Sequence, residues 1–121
     1  MSVLLFTASA ASFAICGLHV VGGGAEIHRP IQASALAVPL RAISAVLWHA
    51  VTVVLIVMGL GAAWLGLHPE PGLAATLVAI CVGWSGLFLW YGLRMLNGVM
   101  ALPQWTLFLP LAVLIGWGMW G

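Results

Sequence analysis

Few side chains in this sequence can do chemistry, and most of them lie in its first half. Ser9, Ser12, Cys16, His19, Gly23 and Glu26 recur at alternating steps of three and four residues. That spacing puts them on one face of a helix. Arg41, Ala45, His49 and Thr52 share a second face, with His49 roughly 12 Å along the helix axis from Arg41. The two stripes belong to consecutive segments. If those segments pack antiparallel, Cys16, His19, Glu26, Arg41 and His49 converge. The glycines at 22, 23 and 24 are expected to end the first helix, which leaves Glu26 the outlying member.

Such a cluster supports several chemistries. Cys16 and His19 stand three positions apart, so both can reach one metal ion. His49 and Glu26 would complete four donors suited to zinc or copper. Alternatively, His19 and His49 on facing helices could ligate the iron of haem b from both sides. A third reading is movement of protons, ions or a small solute, because His titrates near neutral pH and His/Glu chains relay protons. The plain reading is structural, with the histidines and Thr52 hydrogen-bonding neighbouring backbone and Glu26 pairing with Arg29 or Arg41.

Other polar residues read more simply. His28 and Arg29 fall in a connection and are expected to be solvated. His68 and Glu70 read as plain outer surface. Tyr91, Arg94 and Asn97 share the end of one segment, where Arg94 either reaches lipid phosphate or joins the His19–Glu26 cluster. There is no Gly-rich phosphate loop, no HExxH helix and no Ser-His-Asp set, so the chain reads as non-catalytic. Its net charge of +1 leaves no basic footprint for nucleic acid.

The elements that position these residues follow from composition. Of 121 residues, 64% are hydrophobic and 4% are charged, far too few charges to cover a water-soluble particle. Lipid must therefore cover most of the surface. The apolar runs fall at about residues 3–21, 38–67, 73–93 and 104–120, each near the length a spanning helix needs. His68-Pro69-Glu70-Pro71-Gly72 breaks the second run from the third. Pro110 is expected to kink the last. The first run lacks the basic start of a cleaved signal and reads as a span. Cys16 and Cys81 read as free thiols packed as small hydrophobes.

The expected fold is all-α: one domain, 1–121, forming an antiparallel bundle of four transmembrane helices. Arg29, Arg41 and Arg94 then fall on one side, the cytoplasmic one, with both termini outside. Trp64, Trp117 and Trp120 would belt the outer face, and Trp90, Tyr91 and Trp105 the inner. Ala75, Ala79, Gly83 and Gly86 form a small-residue stripe that lets helices approach closely. It is expected to serve packing within the bundle, with a dimer interface as the other use.

The order His19-Val-Val-Gly22, Glu26, Arg29-Pro30, Arg41 and Trp48-His49 resembles a group of small, uncharacterised bacterial four-span membrane proteins. The resemblance covers roughly residues 15–55. It implies a place in the bacterial cytoplasmic (inner) membrane and carries no activity. The expected function is a non-catalytic accessory or assembly component of a larger membrane complex, or of a homo-oligomer. The metal- or haem-binding bundle and the oligomeric transporter are the alternatives.

Overall fold

A computed structural model describes residues 2–121 as an all-helical bundle. Four helices make it up: α1 (Val3–Gln32), α2 (Val38–Leu67), α3 (Pro71–Leu96) and α4 (Trp105–Trp120). The first three are 30, 30 and 26 residues long and apolar enough to cross a membrane. At 1.5 Å per residue, α2 is about 45 Å long and α4, with 16 residues, about 24 Å.

Local chemistry sets the ends. Ser2 caps α1, its hydroxyl accepting from the Leu5 N–H. Proline occupies the first turn of α2 and of α3, where its missing N–H costs nothing. α3 stops at Asn97, which adopts the left-handed conformation (φ 56°) and donates its N–H to the Gly92 carbonyl.

The expectation that the glycines end the first helix is overturned. The chain runs on through Gly22–Gly24 to Gln32, and only residues 33–37 connect α1 to α2. It does so by changing register. Val3–Leu18 is α-helical, His19–His28 is a 10-residue π-helix, and Arg29–Gln32 returns to α. Continuing the helix keeps the backbone N–H and C=O groups of this stretch paired, even at glycine.

α1 packs along α2 and against α4, and α3 packs along α4, while α2 and α3 touch lightly. The pairs are antiparallel. Ser2 donates its N–H to the Gly66 carbonyl and its hydroxyl to the Gly118 carbonyl, gathering both termini and the α2–α3 turn at one end. Gln32 and Arg41 meet at the other. The core is Leu5, Ala8 and Ile15 of α1, Leu55, Met58, Ala62 and Leu65 of α2, Ala74, Leu77 and Cys81 of α3, and Phe108, Leu111 and Ile115 of α4. Ser9 crosses it, donating a 2.7 Å hydrogen bond to the Gly59 carbonyl.

The small-residue stripe corrects a second expectation. α3 turns Ala74, Leu77, Cys81 and Ser85 inward. Ala75, Ala79, Gly83 and Gly86 are all exposed, and a Cβ added at either glycine would meet nothing within 4 Å. The stripe does not pack this bundle.

Candidate functional site: the histidine–tryptophan cluster

The π-helix decides which polar residues meet. An α-helix turns about 100° per residue; closing i→i+5 hydrogen bonds reduces this to roughly 80°. Counting from His19, α geometry would bring Glu26 back to the same face and leave His28 on the opposite one. π geometry does the reverse. In the structure His28 shares a face with His19, and Glu26 is exposed. Gly23, about one turn from His19 in either geometry, stays on that face.

What the face meets is Trp48 of α2. The His19 ring lies on the indole with centroids 3.9 Å apart and planes 20° from parallel. His28 stacks on the same indole at 5.4 Å and 13°. Between them the far edge of the indole reaches Gly23, where an added Cβ would fall 2.7 Å from Trp48 Cη2. Glycine at 23 is thus the notch that admits tryptophan. His19 Nε2 lies 3.1 Å from the Trp48 carbonyl oxygen, a contact that requires the Nε2–H form because a carbonyl only accepts. Thr52 donates to the same oxygen at 3.4 Å.

His49 does not face His19 as expected. One residue past Trp48, it turns outward and is exposed. Its ring meets His28 edge-on, with centroids 5.3 Å apart and planes at 72°. Nδ1 of His28 is sealed from solvent and has no hydrogen-bond partner among the described residues. Cys16 is half-buried against the core. Among the described residues, no three His, Cys, Asp or Glu side chains gather to hold a metal ion, so Cys16, His19, Glu26 and His49 do not form a four-donor set here.

Below the cluster, Arg41 closes the α1–α2 hairpin. Its Nη1 donates to the Gln32 carbonyl at 3.0 Å, and the Gln32 amide donates back to the Arg41 carbonyl at 3.0 Å. Arg94 stays on its own helix, 5.7 Å above the Trp90 ring, and does not join the histidines.

No protein-family model, curated protein or solved structure matches this chain.

The residue that sequence reasoning missed is His28. It was expected to be solvated in a connection, and it sits half-buried against Trp48 and His49 instead. Three successive glycines before a His were the available signal, since they free the backbone to change helical register.

Proposed function

We propose that this chain is a small, non-catalytic membrane component that assembles with a membrane-embedded helix of a larger partner along the outer stripe of α3. The carrying observation is that stripe: Ala75, Ala79, Gly83 and Gly86 are exposed, one helical turn apart, and unmet by any helix of the bundle. Helices in lipid gain nothing from burying apolar surface against each other; they associate where small residues let backbones come close. A stripe of that kind facing outward is a seat for another helix.

On this reading all four helices insert, with Arg29, Arg41 and Arg94 on the cytoplasmic face and both termini outside. Trp64, Trp117 and Trp120 are exposed near the end that carries the termini, as an interfacial belt requires. The short α4 is accommodated by local thinning or by the partner.

The test uses the exposure of the stripe. Ala79→Leu and Gly83→Leu add bulk where there is open space, so the bundle should fold and keep its thermal midpoint. Purified in mild detergent, the wild-type chain should carry a partner in fixed ratio, and either variant should lose it. A wild-type chain that purifies alone as a stable monomer contradicts the proposal.

A further inference from the structure

We infer that two copies of this chain pair side by side through the outward face of α1, with Glu26 of each copy meeting Arg29 of the other. The inference rests on the reading that the helices insert in a membrane. It does not rest on the α3 stripe, which belongs to another helix.

The few charges of the chain lead to this pair. The charged side chains are Glu26, Arg29, Arg41, Glu70 and Arg94. Arg41 donates to the Gln32 carbonyl, Glu70 accepts from the Trp64 indole, and Arg94 lies over the Trp90 ring. Glu26 and Arg29 are exposed, and among the described residues neither has a partner. Glu26 belongs to the 30-residue apolar helix Val3–Gln32, and the π segment turns it away from His19 and Trp48. A carboxylate on the lipid side of a span is expensive, and carboxylates in spans are found paired. A second copy brings a cation to the matching level.

The shape of α1 permits both contacts at once. At about 100° per α residue and roughly 80° per π residue, Glu26 and Arg29 lie about 100° apart around the helix and roughly 4 Å apart along it. Gly17 and Val21 fall in the direction between them. A two-fold axis normal to the membrane sets two such helices parallel, the Gly17–Val21 seam of one on the same seam of the other. A residue flanking one side of the seam then faces the opposite flank of the second copy, as charged residues do beside the seam of a parallel coiled coil. Glu26 and Arg29 occupy opposite flanks, so two reciprocal ion pairs form. The seam also lets the backbones approach: Ala10, Ala14 and Gly17 are exposed about one turn apart, and a Cβ added at Gly17 would meet nothing within 4 Å. The small residues permit the approach; the self-complementary charges select a second copy as what covers the face.

The experiment uses full chains carrying a donor or an acceptor fluorophore at the C-terminus, mixed in phosphatidylcholine vesicles and followed by energy transfer. Wild type should associate. Glu26→Arg and Arg29→Glu should each weaken self-association at least about tenfold, because each then sets like charges against each other. A mixture of the two single variants should regain it, since one chain brings two cations and the other two carboxylates. Both positions are exposed, so the fold holds, and helical circular dichroism checks this. Ala79→Leu on the α3 stripe should leave the transfer unchanged. No transfer by wild type, single variants that associate like wild type, or a mixture as poor as its components overturns the pairing. Flotation with the vesicles reads insertion separately: a chain that does not float overturns the membrane reading and the pairing with it, whereas one that floats without transfer overturns the pairing alone.

Discussion

At the scale of single residues, the cluster is organised by a large ring seated on an absent side chain. Trp48 takes up the space over Gly23 and is flanked by His19 and His28. Gly23→Ala should therefore push the indole out of its notch and loosen the α1–α2 hairpin, at a cost of about 1–3 kcal/mol. Gly22→Ala, where nothing lies within 4 Å, should cost far less. Thermal unfolding followed by tryptophan fluorescence distinguishes the two; equal losses would mean that Trp48 does not depend on the notch. Ser9 offers a second comparison. Its hydroxyl bridges to the Gly59 carbonyl of α2, whereas Ser12 bonds back to Ala8 of its own helix. Ser9→Ala should cost about 0.6–2 kcal/mol and Ser12→Ala less, in the same unfolding measurement. Helical spacing grouped Cys16, His19, Glu26, Arg41 and His49 as converging residues, but of these only His19 lies against Trp48: Glu26 and His49 are exposed, Cys16 packs on the core and Arg41 bonds Gln32. It misassigned their partners because the residue that meets α1 is Trp48, one position before His49, and a one-residue step turns a side chain about 100° around the helix.

At the scale of the element, the π segment and the end of α3 carry the instructive departures. A period of 3.6 residues can be read from a string of letters; a local shift to i→i+5 bonding cannot, because it depends on what α2 presents to α1. Hence Glu26 was expected on the inner face and His28 outside it, and the two exchange places. The small-residue stripe of α3 was legible as a stripe but not in its direction. A helix that is apolar all round has no polar face to mark the outside, so its outward and core-facing sides look alike in sequence. The end of α3 yields a prediction of its own. Asn97 sits at φ 56°, which a β-branched side chain strongly disfavours. Asn97→Val should cost about 1–2 kcal/mol, and Asn97→Gly should be neutral or mildly stabilising. Thermal midpoints of the two variants check this, and a Val variant as stable as wild type would contradict the cap.

At the scale of the whole molecule, the all-helical architecture followed from composition, since four apolar runs with almost no charge leave few other solutions. The proposed orientation makes a direct prediction. In a Cys16→Ser, Cys81→Ser background, Glu70→Cys should react with a membrane-impermeant maleimide added to intact cells. Ala35→Cys, in the α1–α2 connection, should react only after the cells are opened. The reverse pattern would invert the topology, and labelling of both in intact cells would remove one span. The central claim, that the outer stripe of α3 seats another helix, is tested most directly by site-specific photo-crosslinking in intact cells. A photoreactive residue is placed at Ala79 or Gly83 on the stripe and, for comparison, at Val113, which is 55% exposed on α4. The account predicts a single discrete protein adduct from both stripe positions and none from Val113. Adducts to lipid alone at the stripe, or the same protein adduct from all three positions, would contradict it.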